Sequence, residues 1–170
     1  MNHKPVVALA LLAAATVACS ETTTAPSKTA PPGTNNNESQ AWTAGSLAIL
    51  ANEGVTGLRS PTQTVIDDEP TWQAMWQSIY ATRLPQPELP AVDFASHSVV
   101  VYGLGDRYAT LQLDSITQSD AGSAAFFTAT VPGSTCIVPA VVLSPAIAVD
   151  VPQRITVQTW SLRTVVHECS

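Results

Sequence analysis

Charge is scarce in this chain: Asp, Glu, Lys and Arg together make up 12% of its 170 residues, about half the share usual in a soluble domain. Basic residues are scarcer still, 7 against 13 acidic, for a net charge of −6 at pH 7. Arg59, Arg83, Arg107, Arg154 and Arg163 are scattered, and the lysines are Lys4 and Lys28. An acidic chain without a basic cluster repels phosphate, so nucleic acid and anionic lipid headgroups are not expected partners. Catalytic signatures are missing too. There is no G-x-S-x-G turn for a nucleophilic serine, no H-E-x-x-H zinc helix, and YGLGDRY has two glycines without phosphate-loop spacing, so it reads as a hairpin turn. Past the first residues, His97 and His167 are the near-neutral bases, and each has an ordinary reading as a strand or tail residue. The chain is therefore expected to be a non-enzyme, with no catalytic residue, no cofactor and no metal.

One long apolar run exists, and it lies at the start. MNHKPVVALALLAAATVACS has a short basic opening at His3 and Lys4, apolar residues from Val6 to Ala18, and Cys19 directly after the small Ala18. The run is too short for a permanent membrane span and reads as an export signal over 1–18. Cys19 after the cut predicts lipidation, with diacylglycerol on the thiol and an acyl chain on the new amine; two or more chains make a stable anchor. Thr16 stands where such signals usually carry an aliphatic residue, and a plain secretory signal with a coincidental cysteine is the alternative. Ser20 rather than Asp after the cysteine favours the outer membrane, as in Gram-negative lipoproteins. Loss of Lys4 would leave six basic residues against 13 acidic, a charge of about −7.

Residues 19–40, CSETTTAPSKTAPPGTNNNESQ, hold no large apolar side chain. Such a segment buries too little surface to offset its ordering entropy and reads as a tether. The membrane is then reached through the lipid alone. A single domain is expected over 41–170.

Within it, short strands over 47–50 and 55–58 flank Asn52-Glu53-Gly54, which reads as a hairpin turn with Gly54 left-handed. A strand over 63–66 leads into DDEPTWQAMWQSIYA, a helix over 67–81. Asp67 or Asp68 caps its first turn, and Pro70 is tolerated there. Trp72, Met75, Trp76, Ile79 and Tyr80 make one apolar stripe, the core face of a helix lying on a sheet. RLPQPELP, with three prolines, is neither helix nor central strand. Strands follow over 97–102, 109–116, 123–131, 136–143, 147–151 and 155–160. Their short connectors favour antiparallel neighbours. The expected fold class is α+β: a mostly antiparallel β-sheet with one amphipathic helix packed on it.

With Cys19 acylated, Cys136 and Cys169 remain as a pair in an oxidising compartment. A disulfide would staple the C-terminal tail to the strand at Cys136. Two free thiols are the alternative, and a zinc site drawing on His97, Cys136, His167, Glu168 and Cys169 is a more remote one, since no Cys-x-x-Cys or His-x-x-x-His spacing is present.

TVIDDEPTWQAMWQSI, VDFASHSVVVYGLG and PGSTCIVPAVVLSPAIAVDVPQ together resemble the PrcB C-terminal domain family. Trp72, Trp76, Asp93, Phe94, Cys136, Pro145 and Pro152 carry the resemblance, over about residues 64–153. Where that family commonly has a Pro-Thr-Gly-Gly-Tyr turn, this chain has the shorter Gly105-Asp106-Arg107-Tyr108-Ala109. The family takes its name from a lipoprotein that stabilises a cell-surface protease complex. The resemblance implies a non-enzymatic envelope lipoprotein whose domain binds a protein partner such as an envelope protease, with Asp106, Arg107 and Tyr108 as the candidate contact loop. Two other readings stand beside it: a protease inhibitor acting through hairpin loops, and a binding module for small molecules or envelope polymers that stacks them on exposed Trp42 or Trp160.

Overall fold

The computed structural model describes residues 39–169; the expected export signal, Cys19 and most of the expected tether lie outside the described residues. The helix forms as α1, Glu69–Ile79. Asp68 is the residue that caps it: its carboxylate accepts the Thr71 N–H and the Thr71 hydroxyl, both at 2.9 Å. Asp67 turns the other way and accepts the Ser98 hydroxyl at 2.5 Å. Trp72, Trp76 and Ile79 are buried, as the stripe requires.

The strands form two sheets. One holds β1 (Gln40–Thr43), β5 (Thr110–Ser119), β6 (Gly122–Pro132) and β8 (Val157–His167), in the order β1-β5-β6-β8. The other holds β2 (Ala48–Glu53), β3 (Pro61–Ile66), β4 (Ser98–Leu104) and β7 (Ala146–Val151), in the order β2-β7-β4-β3. The fold is α+β and mostly antiparallel, with one α-helix among the described residues.

The second sheet is the middle layer. Val99 and Val101 of β4 pack with Trp72, Trp76 and Ile79 of α1, while Val100 and Tyr102 pack with Leu111, Leu113 and Phe127 of the other sheet. A strand covered on both faces has no wet side, which is why SVVVYGL runs apolar without alternating. In β5 the alternation is clean, with Leu111 and Leu113 buried and Thr110, Gln112 and Asp114 exposed.

Several connections differ from expectation. Residues 55–58 form no strand, and β2 pairs with β7 rather than with a hairpin neighbour. Gly54 is not left-handed; among the described glycines Gly105 (φ 70°) and Gly122 (φ 116°) are. The segment is held instead by Thr56 and Ser144, which exchange three hydrogen bonds of 2.6–2.8 Å in a fully buried position. Gly57 lies so close to the end of α1 that an added Cβ would come within 2.4 Å of the Ser78 carbonyl oxygen. Its N–H caps the Ile79 carbonyl at 3.1 Å.

The turn at Gly105 is no hairpin either, because β4 and β5 belong to different sheets. An L side chain at Gly105 would meet the Arg59 carbonyl and Pro61 nitrogen at 2.9 Å, so only glycine makes that crossing without strain. The β5–β6 turn is a true hairpin, closed by Gly122. Strands β6 and β8 pair in parallel, against the antiparallel expectation. The chain between them leaves the sheet to form β7 in the other layer, which supplies the long crossover that parallel pairing needs.

Residues 136–143, read above as a strand, form none. Pro139 and Pro145 lack the N–H a ladder needs, and the aliphatic side chains between them face solvent.

Candidate functional site

The strand ends at Thr110, Thr130, Pro132 and His167 lie together, and the crossover out of β6 begins there. Cys136 and Cys169 are bonded across this end of the sheet, with their Cα atoms 5.0 Å apart. Both sulfurs are consumed, so neither is a free thiol or a thiolate available to zinc. Around the bridge the backbone is cross-tied. Gly133 N–H donates to the His167 carbonyl at 2.8 Å. The Thr135 hydroxyl donates to the Cys169 carbonyl at 2.8 Å and accepts its N–H at 3.1 Å. The C-terminal tail is thus fastened to the start of the loop that follows β6.

The far end of that loop is fastened as well. Ser144 is locked to Thr56, and Leu143 accepts the Arg107 N–H at 2.9 Å. Between these ends the loop turns its aliphatic side chains outward. Ile137 is 100% exposed, and Val138, Val141 and Val142 are about half exposed. Val165 and Val166, at the end of β8, are exposed as well, on alternate faces of the strand. The chain carries no charged residue from 121 to 149, so nothing in this loop interrupts the apolar surface. A cleft of about 330 Å³ opens here, lined among others by Tyr108, Thr130, Pro132, Cys136, Val138 and Leu143. Contiguous exposed aliphatics beside a cleft make this the candidate contact surface, since scattered single ones are ordinary but a patch is not.

The predicted residues separate accordingly. Tyr108, Cys136 and Cys169 come together in the cleft. Asp106 is outside its lining and pairs with Arg59 at 3.1 Å, both side chains being about half exposed. Arg107 is exposed beside Tyr108, and its guanidinium makes no ion pair with any described residue. Cys19 lies outside the described residues. The exposure of Ile137, Val138, Val141 and Val142 was missed because CIVPAVVL reads as a strand; the signal that could have found it was proline at 139 and 145.

The two histidines part company. His167 lines the cleft. His97 sits elsewhere, its Nδ1 2.7 Å from Asp150 Oδ1. Nearby Asp93 shapes a turn, accepting the Ser96 hydroxyl at 2.7 Å and the Ala95 N–H at 3.1 Å. Those hydrogen bonds, with the nearby His97, hold the Asp93 carboxyl below its ordinary value of 3.8.

Neither tryptophan proposed as a stacking platform is free for one. Trp42 is 6% exposed in the core between the sheets. Trp160 is half-buried and stacks on Phe127, with ring planes 12° apart.

Among the described residues no helix is long and apolar enough to cross a membrane. Comparison of the chain with family models, with curated proteins and with solved structures finds no match.

Proposed function

We propose that this chain is a non-enzymatic envelope lipoprotein whose domain binds another protein through the surface around the Cys136–Cys169 bridge. Cys19 is its lipid anchor in this reading, and the membrane is a location rather than a ligand. The partner class is an envelope protease, held in a stable complex, as the resemblance to the PrcB C-terminal domain family implies. The observation that carries the reading is the aliphatic loop from Ile137 to Val142, tied at both ends and open in the middle. Apolar side chains held in solvent by a disulfide and a buried hydrogen-bond pair are preorganised for contact, which reduces the ordering cost of binding.

The test is crosslinked capture from the native envelope with the full chain, compared with Ile137→Asp and Val141→Asp. The expected result is a defined partner recovered with the wild type and lost with both variants, at unchanged thermal stability. Equal recovery with all three chains would remove this surface from the function.

One observation favours a second reading as an inhibitor. Ile137 is fully exposed directly beside the disulfide, a placement suited to a loop that enters an enzyme cleft. Added to the captured protease, a stabiliser extends its survival at unchanged turnover, whereas an inhibitor lowers turnover at once.

A further inference from the structure

The four sheet edges differ in how they are protected. Strand β1 is four residues long, β2 carries a register shift between Ile49 and Ala51, and β3 opens with Pro61. Shortness, bulges and proline are the ordinary ways an edge is kept from pairing with foreign strands. Strand β8 has eleven residues, VQTWSLRTVVH, with no proline and no lysine. It pairs on one side with β6, and no described strand pairs on the other. Residues Arg163 to Cys169 are exposed throughout. This edge runs directly into the apolar cleft, since His167 belongs to both.

Charge identifies the occupant. Between 41 and 170 the chain has eleven acidic and five basic residues, yet β8 has none of the acids. It carries Arg163 and His167, and Arg107, next in the chain to the cleft-lining Tyr108, has no ion-pair partner among the described residues. Two acids lie nearby, neither on the edge strand: Asp114 of β5, two strands in, accepts the Thr128 hydroxyl at 2.7 Å while Thr128 accepts Arg163 Nε at 3.4 Å, and Glu168 Oε2 lies 3.2 Å from Thr135 Oγ1. A second copy of the chain fits poorly. Antiparallel pairing of two β8 strands about Leu162 would set Val165 and Val166 against Thr159 and Gln158, and would leave residues 137–142 uncovered at both outer ends. The tether fits poorly as well, because it has no large apolar side chain, and the described chain enters at the opposite end of the sheet, where Gln40 pairs with Gln118. Ten residues of β5 separate the two ends, roughly 30 Å.

We infer that β8 and the adjoining cleft take an extended aliphatic segment of a partner protein that carries a carboxylate, added as a fifth strand beside β8. The inference rests on the reading of the domain as a protein-binding module and names the chemistry of its partner. Main-chain hydrogen bonds along β8 supply affinity, and the side chains that stand on the face carrying Arg163 supply selection for a carboxylate.

The test uses labelled nine-residue peptides of alternating valine and threonine, with a polyethylene glycol tail and a central Glu or Lys, titrated into the full chain in mild detergent by fluorescence anisotropy. At low salt the Glu peptide is expected to bind about tenfold more tightly than the Lys peptide, with Arg163→Glu reversing the order. Thr164→Pro is expected to abolish binding of both; should it misfold, Val166→Asp, at an exposed position, supplies the same loss. Peptide binding should protect β8 amides from hydrogen exchange. Equal affinity for the two peptides, or binding without protection of β8, overturns the inference. Concentration-dependent dimers that protect β8 without peptide overturn it in favour of a second copy. If neither peptide binds while Ile137→Asp still loses the captured partner, the strand-addition inference fails and the binding function stands; if nothing is captured either, both fail.

Discussion

Two proline-rich stretches of this chain behave in opposite ways. Residues 83–90, RLPQPELP, end against α1, whereas in residues 136–145, CIVPAVVLSP, the middle from 137 to 142 is exposed and the end at Ser144 and Pro145 is buried. The first is fixed over its second half, while Leu84 near its start is exposed: Trp72 Nε1 donates to the Pro90 carbonyl at 3.1 Å and Trp76 Nε1 to the Pro87 carbonyl at 3.0 Å. Prolines have no N–H to satisfy, so a strap of them needs only donors for its carbonyls, and the buried indoles need only acceptors. The second stretch has no such partners along its middle and is held at its two ends. The difference shows that proline content alone does not set whether a segment is packed or presented. What decides is whether the facing element offers donors and an apolar bed.

The largest expected effect breaks the packed side of that contrast. Trp72→Ala removes a fully buried indole that meets Trp76 edge-on at 5.2 Å and leaves the Pro90 carbonyl without its donor. A loss of about 3–5 kcal/mol of unfolding free energy is expected, measured by urea denaturation. A loss under about 1 kcal/mol would mean that the strap and helix are not a packed unit. Next is the presented side. Replacing Cys136 and Cys169 together by serine frees a closure of sequence separation 33, for a loss of about 4 kcal/mol in the chain-entropy view. The same pair should lose partner capture at temperatures where the chain remains folded. Retained capture would show that the aliphatic loop keeps its shape without the bridge.

The helix and its stripe were legible because an apolar period of three and four has no other common cause. The alternation of β5 was legible for the same kind of reason. The three-layer arrangement was not, because the continuous apolar run of β4 is compatible with burial on either face or both. Nor was the parallel pairing of β6 with β8, since short connectors hide the excursion of β7 into the other sheet. The disulfide could be named as a pairing but not separated from free thiols by spacing alone. Of the loop named as a candidate contact, Tyr108 lies in the cleft beside the Cys136–Cys169 bridge, whereas Asp106 and Arg107 do not line it. Ile137 and its neighbours were not, because a run of exposed aliphatics and a run of buried ones are spelled alike.

A smaller effect, readable through pH, again sits at the helix. The Tyr80 hydroxyl donates to Glu53 at 3.0 Å, and burial together with that carboxylate pushes its ionisation up from 10.0 to about 12, against the opposing pull of Arg83. A phenol whose folded value is raised binds its proton more tightly in the folded state. The stabilisation is therefore complete below pH 10 and is lost as pH climbs from about 10 to 12. Unfolding free energy should fall across that window in the wild type and fall less in Tyr80→Phe. Parallel curves would mean that Tyr80 ionises in the fold as it does in the unfolded chain.

The smallest expected change in stability is the sharpest test of the contrast. Ile137 is fully exposed, so Ile137→Asp disturbs no packing and leaves no buried group unpaired. Surface substitutions of that kind stay within about 0.5 kcal/mol. Ile79→Asp, in the helix stripe, places a carboxylate in a fully buried position and should prevent folding at neutral pH. The two isoleucines are chemically identical, and their environments alone predict opposite outcomes: one variant folds and loses its partner, the other does not fold. If Ile137→Asp cost more than about 1 kcal/mol in urea denaturation, the loop would be packed rather than presented. The contact surface would then have to be sought along β8 alone.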